Sequence, residues 1–167
     1  YVLNLIDDNM TLVLDVKSKQ WSIWTSYLNG SETILDGSYY ASWNNKSYTL
    51  DNYDGKVYNI SETAYIDDAG PIQFRVRSNL FDAETSKRKF ISRVEVIGDK
   101  IGATLKIRHT DDDYNTWSDY RTVDLKADRS VLYQNGSFRR RAYEFFNTDN
   151  VPLRLQACEI DAEAGSI

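Results

Sequence analysis

Along most of this chain apolar and polar residues alternate every second position, the period of a half-buried β-strand and not of a helix. Residues 10–16 place Met10, Leu12, Leu14 and Val16 at alternate positions, residues 17–20 read as a turn, and residues 21–27 resume with Trp21, Ile23, Thr25 and Tyr27. This predicts a hairpin. Asn29-Gly30-Ser31 predicts the next reversal, because Asn and Gly accept the positive φ of tight hairpin turns. Residues 38–43 and 47–53 are predicted as short strands around Asn44-Asn45-Lys46, and Asp54-Gly55 turns the chain into a strand over 56–60.

The second half predicts longer strands over 71–78, 89–97, 101–109, 117–125, 137–146 and 152–160, separated by segments such as Gly98-Asp99-Lys100 and Asn135-Gly136. No stretch sustains the helical apolar spacing with a cap, and residues 81–88 are too polar to dock as a helix and are expected to form a loop. The predicted class is all-β. An apolar-Asp pair followed by a turn and an aromatic strand occurs twice, at Leu14-Asp15 and at Leu50-Asp51. Propeller blades repeat at roughly 40 to 50 residues, but the hairpins of any β-sandwich give a similar echo.

The chain has 167 residues, 41% apolar and 27% charged, with 12 Tyr, 6 Phe and 4 Trp. That suits one ordinary domain or two small ones and excludes a disordered tail. The net charge of −5 argues against a free-standing nucleic-acid module that lives by neutralising phosphates. One cysteine, Cys158, allows no internal disulfide, and one histidine, His109, leaves no zinc set. No run of about 18 apolar residues is present, and the residues from Tyr1 lack a basic and apolar leader, so neither a membrane span nor a signal peptide is expected. The absence of an initiator Met suggests a processed product or a piece of a longer chain.

Few residues point to chemistry. A nucleophilic triad would have to use His109, whose neighbours Thr110 and Asp111 do not face it together, and no Gly-x-Ser-x-Gly elbow accompanies it. No glycine spacing forms a phosphate cradle. Asp111, Asp113 and Asn115 offer alternate oxygen ligands for Ca²⁺, but Thr116 and Thr122 stand where an EF-hand needs Gly and Glu, so a solvated hairpin tip is the plainer reading. Paired carboxylates for glycoside hydrolysis are too many to choose among without coordinates.

The same tip fits an Asp-box hairpin, Ser/Thr-x-Asp-x-Gly-x-Thr-Trp, at Thr110, Asp112, Thr116 and Trp117, with Tyr114 in the Gly position. In such a hairpin the Asp caps backbone N–H groups and the Trp packs behind; it is structural, not catalytic. Arg139-Arg140-Arg141, read as strand, puts Arg139 and Arg141 on one face. With Arg154 they are candidate contacts to another subunit or to phosphate, against the plainer role of pairing the surplus carboxylates across strands. Trp21, Trp24 and Trp43 could form a sugar-stacking platform, yet Trp21 and Trp24 fall on opposite faces, which predicts core packing for one and an interface for the other. Sequons at Asn9, Asn29, Asn45, Asn59 and Asn135 read as turn chemistry.

Taken together, Leu14-Asp15, Trp21 to Trp24, Tyr48 to Leu50 and Asp54 to Tyr58 resemble the blade strands of tail hub proteins from short-tailed bacteriophages, also called nozzle or packaged-DNA-stabilising proteins. Residues 65–72, a long strand from Lys89, the Asp-box tip, residues 139–145 and residues 152–155 continue the likeness. The resemblance implies a structural virion protein of the phage tail. Copies would assemble as a ring below the portal or its adaptor, prolong the channel, touch the packaged DNA in passing and help retain it. It also implies the C-terminal part of a larger propeller protein: a propeller-blade-like β segment over 1–66, an antiparallel β-sandwich-like module over 67–161, and a tail over 162–167. No enzyme activity, catalytic residue, cofactor, metal or membrane contact is expected. A carbohydrate-binding β module of a receptor-binding or glycosidase-associated protein is the alternative, and a sialidase-like or other glycosidase fragment a further one.

Overall fold

The computed structural model describes residues 1–28, 31–35, 37–51, 55–67 and 70–165. Among them are seventeen β-strands and no helix, so the protein is all-β. All strand pairs are antiparallel. The chain divides into two compact units, Tyr1–Ile72 and Gln73–Ile167.

In the first unit β1 (Val2–Leu5), β2 (Met10–Asp15), β3 (Gln20–Leu28) and β4 (Ser31–Ile34) form a four-stranded meander in chain order. A second meander joins β5 (Gly37–Trp43), β6 (Lys46–Asp51) and β7 (Val57–Ile60), and β8 (Ile66–Asp67) with β9 (Gly70–Pro71) makes a short hairpin. The β2–β3 turn is held by Asp15, whose carboxylate accepts from Lys17 N at 2.9 Å and Ser18 Oγ at 2.8 Å. Asn44 and Asn45 sit at φ 49° and 59°, the two left-handed residues of a tight hairpin turn between Trp43 and Lys46. The other reversals expected from Asn29-Gly30 and Asp54 lie outside the described residues. Strands β1 and β4, of four residues each, were not predicted.

The interior of this unit is small and polar. Thr11, Ser26, Thr49 and Asp51 are buried. Asn4 Nδ2 donates to Gly37 O at 3.1 Å, and Thr11 Oγ1 donates to Asn4 Oδ1 at 2.8 Å. Gly37 is required there by closeness: a Cβ would fall 2.1 Å from Thr49 Oγ1. The large apolar groups lie outside. Trp21 is 53% exposed, Trp24 44% and Trp43 72%, which corrects the expectation that one of Trp21 and Trp24 packs in a core. Sheets that approach through Gly, Ser and Thr leave no room for an indole between them.

The second unit contains β10 (Phe74–Arg77), β11 (Lys89–Gly98), β12 (Thr104–Thr110), β13 (Arg121–Asp124), β14 (Ser130–Tyr133), β15 (Ser137–Phe138), β16 (Ala142–Asn147) and β17 (Leu155–Ala164). One sheet runs β10-β16-β12-β13; in the other β11 pairs with β14 and β15 and, along its length, with β17. Residues of both sheets, including Ile91, Val94 and Val96 of β11, whose alternation shifts at an irregularity between Ile91 and Arg93, Leu105 and Ile107 of β12, and Tyr143 and Phe145 of β16, share one apolar core. In β12 the period-two pattern buries Leu105 and Ile107 and exposes Thr104 and Lys106, whereas β16 is buried on both faces.

Three boundaries differ from the sequence expectation. The strand foreseen over 137–146 breaks at Arg139 and Arg140, because buried Lys89 takes the Arg139 carbonyl at 2.6 Å along with that of Thr85. The stretch 117–125 is strand only at Arg121–Asp124. Residues 162–164, expected to belong to a tail, continue β17, whose ladder on β11 runs through Ala164. Asn9 and Asn45 occupy left-handed turn positions, but Asn59 lies within β7, contrary to its reading as a turn residue. Asn29 lies outside the described residues.

Candidate functional site

Between β12 and β13 the chain makes the Asp-box tip. Asp112 accepts from Thr110 Oγ1 at 2.7 Å and Thr116 N at 2.9 Å on Oδ1, and from Thr116 Oγ1 at 2.5 Å on Oδ2. The Thr116 hydroxyl and amide, with the Thr110 hydroxyl, hold the Asp112 carboxyl down at about 2. Asp113 and Tyr114 sit at φ 58° and 69°, so Tyr114 does adopt the left-handed conformation that Gly would take there. Part of that cost is offset because Tyr114 Oη donates to Ser78 O at 2.9 Å and its ring packs 6.1 Å from Trp117. Thr110, Asp112, Thr116 and Trp117 therefore come together as a unit.

The carboxylates beside Asp112 are taken by arginines. Asp111 is gripped by Arg141 at 2.7 and 2.8 Å, and Asp113 by Arg140 at 2.7 and 2.6 Å. Asn115 turns its amide onto the Asp112 carbonyl at 2.6 Å. Two of the three oxygen ligands considered for Ca²⁺, those of Asp111 and Asp113, are thus paired with arginines from outside the tip.

The arginine run does not form a face. Because residues 139 and 140 are not strand, Arg139 and Arg141 do not project together, which corrects the alternation argument. Arg141 is 2% exposed and is an internal anchor, with Nη1 donating to Asn135 O at 2.5 Å; it cannot serve a neighbouring subunit or a phosphate. Arg139 and Arg140 line an open hollow of about 500 Å³ with Asp82, Glu84, Thr85 and Ser86, a lining of mixed charge. Arg154 is exposed and pairs with Asp99 at 2.9 Å. It lies beside the Gly98 end of β11, whereas Arg139 follows the strand paired at the Lys89 end, so ten residues of strand separate them.

His109 is half-buried on β12, with Nδ1 3.2 Å from Ser118 Oγ and its ring 6.2 Å from Tyr143. Burial and the Arg141 charge pull its pKa below the ordinary value.

The most organised charged cluster lies on the outer face of the β10-β16-β12-β13 sheet. Glu144, at the centre of β16, is fully buried. Its cross-strand neighbours are Arg77 on β10 and Arg108 on β12. Arg77 Nε donates to Oε2 at 2.6 Å, Arg108 Nε to Oε1 at 2.7 Å and Tyr120 Oη to Oε1 at 2.5 Å. Burial alone would push this carboxyl up, but the bonds from Arg108, Tyr120 and Arg77 outweigh it and hold the pKa at about 2. Trp117 lies beneath both guanidinium groups, 5.3 Å from Arg77 and 4.8 Å from Arg108, and Arg108 also stands over Tyr120 at 4.6 Å. One step along, Arg75 and Lys106 flank the Phe146 ring at 5.4 and 5.7 Å.

The reading of the arginine triplet missed this cluster. Its signal was a cation at alternate positions of two apolar strands, Arg75 and Arg77 in one, Lys106 and Arg108 in the other. Only the pairing register brings them to one carboxylate.

No protein-family model matches the chain, and no curated protein is significantly similar to it.

Proposed function

We propose that this protein is a non-enzymatic structural module that works by fitting against copies of itself, in the manner of a tail hub or nozzle ring in the virion of a short-tailed bacteriophage. One observation carries this reading: the strands of the first unit expose Trp21, Ile23, Tyr39, Trp43 and Val57, at 53, 60, 67, 72 and 66%. Apolar groups of that size exposed on β3, β5 and β7 are a cost for an isolated chain and an asset where neighbouring surfaces cover them. The meander of β1 to β4 has the strand number and order of a propeller blade, which supports the same reading. Among the described residues the two most strongly shifted carboxyls, Asp112 and Glu144, are shifted down, whereas acid catalysis needs one pushed up.

In that role the ring would extend the portal channel and guide packaged DNA outward, and the net charge of −5 suits a wall along which DNA slides without sticking. The same exposed indoles would suit a carbohydrate-binding module. Light scattering followed by electron microscopy separates the two. A closed ring supports the assembly reading, and a monomer at all concentrations that binds oligosaccharide through Trp21 or Trp43 overturns it.

A further inference from the structure

The cluster around Glu144 holds more positive charge than it uses. Arg77 and Arg108 each spend Nε on the carboxylate, and among the described residues their Nη groups donate to nothing. Arg77 keeps 49% of its side-chain surface exposed and Arg108 24%, while Glu144 keeps none. Three cations, Arg77, Lys106 and Arg108, share the face with that single carboxylate. Of the acids on neighbouring segments, Asp124 is paired opposite Thr104 at the far end of β12, Asp149 accepts from Thr104 N at 2.8 Å, and Asp119 is exposed in the loop between Trp117 and Tyr120. This surplus occurs in a chain whose net charge is negative, so general basicity does not explain it.

Glu144 is a positioning group in this arrangement. It fixes the inner edge of two guanidinium groups, and Trp117 beneath them limits their movement, so the outer edges are held ready before any ligand arrives. A second carboxylate would bring only two oxygens and one charge. Two forks serving one ligand suit a tetrahedral anion, which has oxygen atoms for both and carries charge enough to balance the excess.

We propose that the outer edges of Arg77 and Arg108 form a binding site for a phosphoryl group, with Lys106 as an auxiliary cation. The site stands independently of the assembly reading above. The full chain is titrated with inorganic phosphate and, separately, with acetate at the same ionic strength, following the arginine Nε–H resonances by NMR. Phosphate is expected to shift the Arg77 and Arg108 signals saturably and acetate at least tenfold more weakly. Arg77→Gln and Arg108→Gln should each weaken phosphate binding roughly tenfold or more, and Arg77→Lys, which keeps the charge but loses the fork, should also weaken it. Arg139→Gln should leave binding unchanged, and circular dichroism checks that each variant is folded. Equal response to acetate, or folded Arg77→Gln and Arg108→Gln variants that bind phosphate like the parent, would overturn the proposal.

Two further probes separate the sources of the phosphoryl group. Thymidine monophosphate bound more tightly than an unphosphorylated oligothymidylate supports a terminal monoester. The reverse order supports a backbone diester. Binding of neither overturns the site.

Discussion

Arg141 closes a two-bond fork on Asp111, thirty residues earlier in the chain, with Nε to Oδ1 at 2.7 Å and Nη2 to Oδ2 at 2.8 Å. The guanidinium is buried and also donates to the Asn135 carbonyl, so this one side chain ties the Asp-box tip to the turn before β15. Lysine has a single ammonium on a flexible stem and cannot occupy three acceptors in that plane. Arg141→Lys is expected to cost about 2–4 kcal/mol of folding stability, by the loss of charged hydrogen bonds from a buried site. Asp111→Asn should cost less, because Asp111 keeps 39% of its side-chain surface in water. Urea denaturation of the two variants checks the order.

Glu144 makes stability depend on acid. Its folded pKa of about 2 lies below the ordinary 4.5, so the stabilisation is fully present above about pH 4.5 and is lost as the pH falls towards 2. Asp112, also at about 2, acts in the same direction. Glu144→Gln should destabilise the neutral protein by about 2–4 kcal/mol and flatten the fall in Tm between pH 4.5 and 2. A variant whose acid limb matches the parent's would refute the assignment.

Cys158 should react slowly. Burial, with Glu159 adding to it, pushes the thiol up to about 11, and the thiolate is the reactive form. At pH 8 alkylation by iodoacetamide is expected to be roughly 10- to 100-fold slower in the folded chain than in urea. Mass spectrometry of timed samples measures the ratio.

Gly136 isolates a backbone effect. It sits at φ 69°, and a Cβ there would touch nothing within 4 Å, so a substitution pays for conformation without clash. Gly136→Val should cost about 1–2 kcal/mol, with Gly136→Asn less costly because Asn tolerates the left-handed region. Comparing their urea midpoints tests this; equal midpoints would show that the turn is not held in that conformation.

The all-β class was legible because alternation is local: a strand such as β12 carries its own record of which face is buried, in Leu105, Ile107 and their polar neighbours. The Asp-box tip was legible for the same reason, since Thr110, Asp112 and Thr116 lie within one turn and find one another without help from the rest of the fold. The reading failed where a distant group intervened. Lys89 takes the Arg139 carbonyl and Asp111 draws Arg141 inward, and no pattern within residues 137–146 records either event.

The sequence by itself determined the strand-rich class, most hairpin turns of the described chain and the hydrogen-bonded tip, because those depend on side-chain period and on neighbours a few residues apart. Tertiary structure alone decided that Arg141 is buried, that Trp21 and Trp24 are both exposed, and that Arg77, Arg108, Trp117 and Tyr120 meet at Glu144. Those outcomes depend on strand register and on which sheets approach closely, quantities set by pairing between residues far apart in the chain.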